Sequence, residues 1–103
     1  MAKKVFGPLT ETMFYVLMAL LAGPKCGTQI AEFTEKRTGG RVNIGPGTLY
    51  AILSKFEEEK LIREIAVCGR KRTYEITERG TRAYCEELAR LKQCLKDAQE
   101  AER

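Results

Sequence analysis

Three stretches within the first 60 residues carry apolar side chains three or four positions apart, the spacing typical of one buried face of an α-helix. In the first and third stretches these positions are Phe14, Leu17, Met18 and Leu21, and then Leu49, Ile52, Leu53 and Phe56. Thr10 can cap the first predicted helix, and Gly23-Pro24 ends it. The second helix is predicted over residues 27–38. Pro46 suits the first turn of the third helix, which is predicted to end near Lys60.

From residue 64 onward the apolar period changes from 3.6 to 2, as in a β-strand. Two alternating runs, 64–67 and 73–76, flank the basic turn 68–72, and this arrangement predicts a β-hairpin. Thr77 then caps a last predicted helix that extends to about Ala98. Its apolar seam resembles a short coiled coil and consists of Tyr84, Leu88, Leu91, Leu95 and Ala98. A seam this short is not stable alone, so we expect it to be part of a larger contact.

Three helices, a hairpin and a fourth helix, in that order, are the parts of a winged helix-turn-helix. We therefore expect a mainly α fold with a small β-hairpin. Residues 8–76 should form the winged helix-turn-helix domain and residues 77–98 a C-terminal helix, with flexible ends at 1–7 and 99–103. In this architecture the third helix enters the major groove of DNA, and the hairpin, called the wing, contacts the backbone or an adjacent groove.

The composition argues against an enzyme or a metalloprotein. The chain has no His and a single Ser, so the usual general base and the commonest zinc ligand are absent, and neither a catalytic residue nor a cofactor nor a metal is expected. The acidic run 57–59 is interpreted as a solvated helix face. The longest apolar stretch, 13–22, is too short to cross a membrane. None of the four cysteines has C-x-x-C spacing, and the N-terminal residues do not resemble a signal peptide. We therefore expect a cytoplasmic protein with reduced thiols.

The net charge of +4 is concentrated in the middle of the chain. Residues 36–72 carry nine basic and four acidic side chains, whereas residues 1–35 are neutral overall and residues 73–103 have one excess negative charge. The surplus coincides with the third helix, the segment before it and the hairpin turn. Because phosphate binding releases counterions, clustered Lys and Arg predict double-stranded DNA as a partner.

The candidate DNA-binding residues lie before and within the third helix and at the hairpin turn: Arg41, Gly45, Gly47, Thr48, Tyr50, Lys55, Arg70, Lys71 and Arg72. Two glycines flanking Pro46 leave room for a phosphate to approach the backbone N–H groups of the helix N-terminus. Tyr50 is out of phase with the apolar positions and is predicted to be exposed. Adjacent cations at a hairpin turn suit a phosphate or a narrow minor groove.

Residues 8–98 also resemble the PadR family of transcriptional regulators. The most specific match is the string over residues 39–50, Gly-Gly-Arg-Val-Asn-Ile-Gly-Pro-Gly-Thr-Leu-Tyr, at the start of the third helix. The other matching stretches are 9–11 with 14–17, 20–21, 23–27 with Ile30, Leu53 with 57–62, and 74–80. Together these stretches are highly specific for the PadR family, whereas the string over residues 39–50 alone would only suggest it.

The resemblance implies a homodimer, held by the C-terminal helix as a dimerisation helix, that binds a palindromic operator and usually represses transcription. The residues expected at the dimer interface are Phe14, Met18, Tyr84, Leu88, Leu91 and Leu95. The resemblance also implies a response to a small aromatic effector. The expected pocket at the interface is formed by Phe6, Phe14, Tyr15, Met18, Leu88 and Leu91. Packing in the core is a compatible role for the same side chains.

Two other functions stay open at this point. A winged helix can serve as a protein–protein interaction module that binds no DNA. A thiol- or metal-responsive regulator is the second alternative. Cys85 and Cys94 lie about 13–14 Å apart along one predicted helix, too far for a disulfide within one chain. An antiparallel dimer could still bring Cys85 of one protomer near Cys94 of its partner.

Overall fold

Residues 6–102, the part of the chain that this computed structural model describes, form four helices and three strands. In chain order the elements are α1 (Glu11–Leu21), β1 (Lys25–Cys26), α2 (Gly27–Arg37), α3 (Pro46–Glu58), β2 (Ile62–Cys68), β3 (Lys71–Ile76) and α4 (Glu78–Ala101). A mainly helical fold with a small antiparallel sheet confirms the predicted winged helix-turn-helix class. Residues 1–5 and 103, which belong to the predicted flexible ends, lie outside the described residues.

The helices begin where local signals in the sequence predicted. Thr10 Oγ1 accepts a hydrogen bond from the Met13 N–H at 3.1 Å and so caps α1. Thr77 caps α4 in the same way, because its hydroxyl accepts from the Gly80 N–H. Pro46 occupies the first turn of α3, where its missing N–H leaves no hydrogen bond unmade.

Two helix ends differ from the prediction by a few residues. Helix α3 ends at Glu58 rather than near Lys60, because Lys60 adopts a left-handed φ of 62° that a helix cannot continue through. Helix α4 continues to Ala101, beyond its predicted end near Ala98, so most of the C-terminal segment predicted to be flexible is helical.

The sheet has one strand more than the sequence predicted. The hairpin of β2 and β3, called the wing below, was predicted, but the two-residue strand β1 also pairs with β3, giving the order β1-β3-β2. A two-residue strand is too short to show an alternating pattern, so this element was missed. Within the wing, the register shifts between Glu64 and Ala66, and Gly69 permits a tight turn because it adopts a left-handed φ of 61°.

The core lies between α1, α2, α3 and the sheet. Its largest fully buried side chains come from the three helices and from the chain that enters the wing: Leu17, Leu20, Ile30, Leu53, Phe56, Leu61 and Ile62. Helix α1 is the central element, since it packs against α2, α4 and β3. The helical periodicity predicted the buried face of α3 correctly. On α1 it was wrong at one edge: Leu21 is 44% exposed, whereas Val16 and Leu20 are buried, because α1 is covered by α2, α4 and β3 together.

Helix α4 is attached to the domain at its first turn. The Thr77 hydroxyl lies 2.7 Å from the carbonyl oxygen of Lys60 and 3.0 Å from that of Leu61. Gly80 packs directly on this turn, because a Cβ at Gly80 would overlap the Leu61 carbonyl oxygen and lie 2.8 Å from Ile76 Cγ1. From residue 91 onward, in contrast, every described residue of α4 is exposed. Within residues 6–102, no helix combines the length and the apolar character that crossing a membrane requires.

Candidate nucleic-acid interface

Helix α3 has one buried face and one exposed face. Its buried side chains are Leu49, Ile52, Leu53 and Phe56. On the opposite side Tyr50 is 62% exposed, which confirms the exposure predicted from its phase, and Ser54 and Lys55 are exposed beside it. Lys55 Nζ lies over the Phe6 ring, 5.9 Å from its centre. The core thus fixes the orientation of α3, and the remaining face is open to a ligand.

The N-terminus of α3 is exposed and carries no side chain at Gly45 or Gly47. Gly45 is the N-cap with an extended backbone, φ −69° and ψ 154°, which any residue can adopt. A Cβ at Gly45 or at Gly47 would meet no atom within 4 Å. Neither the backbone nor the packing of this chain therefore requires glycine at these positions. The glycines leave the first N–H groups of α3 open to close approach, with Thr48 exposed beside them.

The wing tip, residues 69–72, places its cations in different surroundings. Arg70 and Lys71 are exposed and form no ion pair with the described residues. Arg72 differs, because its Nε lies 3.5 Å from Glu64 Oε1 on the neighbouring strand. The structure thus leaves two of the three predicted wing cations without a charge partner among the described residues.

A groove of about 760 Å³ separates α3 from the wing. Its walls include Tyr50 and Ser54 of α3 and Arg70 and Lys71 of the wing, and Thr28 at the start of α2 also lines it. The groove therefore brings together residues from three elements. Thr28 and Ser54 were not among the predicted site residues, because only the folded arrangement puts them beside the wing.

Tyr74 also lines this groove and is 4% exposed. Burial raises the pKa of its phenol, and the nearby negative charge of Glu57 raises it further, whereas Arg72 acts in the opposite direction. The phenol therefore stays neutral at physiological pH. Besides the wing cations, the groove is therefore lined by an uncharged phenol, and Glu57 lines it as well.

Arg41 has a different environment from the one its predicted role implies. Its Nη1 donates to Glu11 Oε2 at 2.6 Å, and its Nη2 donates to the Tyr15 hydroxyl at 3.2 Å. The hydrogen bond to Glu11 and the charge of that carboxylate raise the pKa of Arg41 above its usual value. Sequence reasoning missed this contact, since Arg41 and Glu11 are 30 positions apart in the chain.

The cysteines do not form a cluster. Cys26 is buried at the start of α2, where its Sγ lies 3.2 Å from the Thr28 hydroxyl. Burial raises the pKa of this thiol, but hydrogen bonds from Thr28 and Gln29 and the charge of Lys71 outweigh that effect and lower it overall. The other three cysteines are free and exposed. No group of three or more His, Cys, Asp or Glu side chains in the described part of the chain is arranged to hold a metal ion.

The residues predicted for the dimer interface divide between the core and the surface. Phe14 stacks on Tyr84 within the same molecule, with ring centres 4.8 Å apart and planes 3° from parallel. Met18 and Leu88 are partly buried against the core. Leu91 and Leu95, in contrast, are 38% and 59% exposed. These two leucines form an apolar stripe that the described part of the chain leaves uncovered, called the apolar stripe below.

The structure places Phe6 apart from this stripe. Phe6 packs edge-on against Phe56 at 5.9 Å and lines a small depression of about 20 Å³ together with Ala83, Glu87 and Arg90. None of the other five residues predicted for the effector pocket lines that depression. Sequence reasoning also missed Glu87, which is 6% exposed and forms an ion pair with Arg90 at 2.6 Å. The one signal for this pair was the i, i+3 spacing of opposite charges on a helix.

Comparisons with known proteins are consistent in family and fold. The model of the transcriptional regulator PadR-like family matches residues 16–86. An uncharacterized 37.1 kDa protein in transposon TN4556 of Streptomyces fradiae is 36% identical over 70 residues, which cover 68% of this chain and 20% of that protein. The chain thus spans about a fifth of the length of this curated relative.

Two solved structures illustrate the shared fold. A transcriptional regulator from Clostridium thermocellum has a TM-score of 0.78 at 22% identity, over 86% of this chain and 87% of that one. Bacillus subtilis PadR, solved in complex with operator DNA, has a TM-score of 0.65 at 21% identity, over 74% of this chain and 45% of that one.

Proposed function

The chain belongs to the transcriptional regulator PadR-like family, and from this premise we propose that it regulates transcription by binding double-stranded DNA in a sequence-specific manner. Members of this family are transcriptional regulators and not enzymes. The observation that carries the proposal is the groove between α3 and the wing, which unites the exposed face of α3 with the cations of the wing tip.

The proposed contacts follow from the geometry of this surface. Helix α3 enters the major groove with Tyr50 and Lys55 on its exposed face. The open N–H groups at Gly45, Gly47 and Thr48 receive a phosphate. Arg70, Lys71 and Arg72 bind the DNA backbone or a narrow minor groove. The complex of B. subtilis PadR, a structure of this fold, with operator DNA supports the proposal.

The test is a salt titration of DNA affinity. Arg70→Gln with Lys71→Gln should weaken binding to every duplex and should flatten the slope of log K against log salt by about 0.9 for each phosphate that the wing no longer neutralises. Lys36→Gln with Arg82→Gln, at exposed positions of α2 and α4 outside the proposed contacts, is the matched control for the decrease in positive charge. An unchanged slope in the wing variant would remove the wing from the proposal. Absence of duplex binding by the unmodified chain would favour a protein–protein module.

We also propose that two copies of the chain act together. Leu91 and Leu95 expose an apolar stripe on the distal part of α4, and a second copy would cover it. A homodimer has two-fold symmetry, so its operator would be a palindrome with half-sites about 34–36 Å apart or a multiple of that. Selecting bound sequences from a random DNA pool tests the symmetry and reveals the operator.

We also propose that the chain represses transcription and that a small aromatic effector releases it from DNA. An effector acts only if it binds two dimer geometries with different affinities. Tyr15, Met18 and Leu88 are partly buried side chains of α1 and α4 that an interface pocket would include. Transcription from a promoter that contains the selected operator, with and without simple aromatic acids, tests both parts. Activation by the protein, or no response to any such compound, would remove the corresponding part.

A further inference from the structure

The guanidinium of Arg41 is bound to α1 and does not extend into solvent. Its two terminal nitrogens donate to Glu11 Oε2 at 2.6 Å and to the Tyr15 hydroxyl at 3.2 Å. Glu11 and Tyr15 are separated by one helical turn and therefore lie on the same side of α1. The planar fork of a guanidinium can reach two such acceptors at once, which the compact ammonium of a lysine does less well.

The contact with Glu11 also changes what Arg41 offers to DNA. Both side chains are 57% exposed, and the carboxylate of Glu11 makes the pair neutral overall. A phosphate that approaches Arg41 would meet a negative charge beside the positive one. Since the electrostatic part of DNA affinity comes from cations that displace counterions, a neutral pair contributes little to it. Arg70 and Lys71 form no ion pair with the described residues, so they differ from Arg41 in this respect.

The loop that carries Arg41 joins α2 to α3. Its other side-chain hydrogen bonds are local: the Val42 N–H donates to Thr38 Oγ1 at 3.0 Å, and Asn43 Nδ2 donates to the Gly40 carbonyl at 3.1 Å. The bonds from Arg41, in contrast, reach 26 and 30 positions back along the chain. Arg41 therefore connects α1 to the loop that leads into the first turn of α3.

We propose that Arg41 is a positioning residue, whose guanidinium holds the α2–α3 loop against α1 and so fixes the direction in which α3 begins, without binding a phosphate itself. This inference rests on the proposed DNA binding. It revises the prediction from the sequence, which placed Arg41 among the DNA-binding residues because of its charge and its position before α3.

The test measures DNA affinity against salt concentration, by fluorescence anisotropy on a mixed-sequence duplex, together with the melting temperature of each full-length variant. The variants are Arg41→Gln, Glu11→Gln, both together, and Arg41→Lys. Arg70→Gln serves as the comparison, because it removes a cation that is proposed to bind a phosphate. Glu32→Gln removes a carboxylate from an exposed position of α2 and controls for the change in net charge.

We expect Arg41→Gln and Glu11→Gln each to weaken DNA binding by about twofold to fivefold, the range that an exposed ion pair typically supplies, with the salt slope unchanged. The double variant should bind as either single one does, because the two residues act as a unit. Arg41→Lys should bind as Arg41→Gln does, since lysine keeps the charge but not the fork. Arg70→Gln should instead flatten the slope by about 0.9.

Three results would overturn the inference. One is a flattened salt slope in Arg41→Gln with full affinity in Arg41→Lys, which identifies a phosphate contact. Another is tighter binding by Glu11→Gln, which identifies a cation held back from DNA. The third is a lower melting temperature with unchanged DNA affinity, which identifies a purely structural pair. Each of these leaves the proposed function intact, whereas an unmodified chain that binds no duplex would overturn the proposed function and this inference with it.

Discussion

The two ends of α4 belong to one continuous helix but have opposite surroundings. In its first three turns, Gly80, Ala83 and Glu87 are buried against the domain. In its last three turns every described side chain is exposed, including the two leucines of the apolar stripe. The first part has the contacts of a core helix, whereas the second is mostly polar and exposes its two leucines. The proposed dimer would account for this difference, because a second copy would cover the two leucines.

The largest effect is expected from breaking the attachment of the first part. In Gly80→Ala the new methyl group would overlap the Leu61 carbonyl oxygen and crowd Ile76 Cγ1 at 2.8 Å. Both are held by the sheet and its preceding turn, so the strain should cost about 3 kcal/mol or more. We expect the melting temperature to fall by more than about 10 °C in calorimetry.

Gly47→Ala is the matched control for this variant, since a Cβ at Gly47 meets no atom within 4 Å. Its melting temperature should stay the same or rise slightly, because alanine favours a helix over glycine by up to about 1 kcal/mol. Equal decreases in the two variants would mean that the packing of Gly80 on Leu61 is not what attaches α4.

The next largest effect is expected on self-association. Leu91→Glu places a charge in the middle of the apolar stripe, where a partner helix would have to bury it. The dissociation constant of the dimer should rise by more than about 100-fold, while the melting temperature of the separated chain changes little. Sedimentation velocity measures the first quantity, and thermal unfolding at low concentration measures the second.

Gln93→Glu adds the same charge to another exposed position of α4, about 200° around the helix from Leu91. Self-association should survive this substitution. A dimer that tolerates Leu91→Glu as well as Gln93→Glu would place the contact between copies elsewhere on the molecule.

A smaller effect is expected at the junction between the two parts. Arg90 donates to both carboxylate oxygens of the buried Glu87, at 2.8 and 2.6 Å. Arg90→Gln removes the cation and leaves the carboxylate less well compensated, so the melting temperature should fall by a few degrees. The double variant Glu87→Gln/Arg90→Gln should recover part of this decrease. A further fall in the double variant would show that the carboxylate stabilises the fold without Arg90.

The smallest effect is expected from the thiols. Cys85 and Cys94 are exposed and unbonded to each other, so replacing both with Ser should leave stability within about 0.5 kcal/mol of the unmodified chain. DNA affinity should be equal under reducing and oxidising conditions in both proteins. Affinity that changes on oxidation of the unmodified chain alone would support the thiol-responsive alternative.

The contrast between the two parts of α4 also separates what the sequence could predict from what it could not. Helix starts depend on residues within one turn, so Thr10, Pro46 and Thr77 were sufficient to place them. The stripe of Leu91 and Leu95 was visible as a periodic pattern and was predicted to form a contact. The pattern does not show whether such a contact lies within one chain or between two copies, so the sequence could not separate Leu91 and Leu95 from the partly buried Leu88. Strand β1 is too short to have any pattern of its own.

The candidate site was predictable only in part, because some of its contacts join residues that are far apart in the chain. Its cations could be named from the clustering of charge, and the exposure of Tyr50 followed from its phase on α3. The charge partners could not be named, because Glu11 reaches Arg41 across 30 positions of chain. Thr28 also joins the groove only through tertiary contacts. The sequence therefore shows where the cations are, but only the folded structure shows which of them have a charge partner.

The hydroxyl of Thr77 has a geometric consequence for the proposed dimer. It ties the start of α4 to the carbonyls of Lys60 and Leu61, just after α3, so in the proposed dimer we expect α3 to follow a tilt of α4. A helix of 24 residues is about 36 Å long. Tilting a helix of this length by about 5° around one end moves its other end by about 3 Å, which is close to the rise of one base pair along DNA. In the proposed dimer, a rotation of a few degrees at the distal ends of α4 would therefore shift each α3 by about one base step along the DNA.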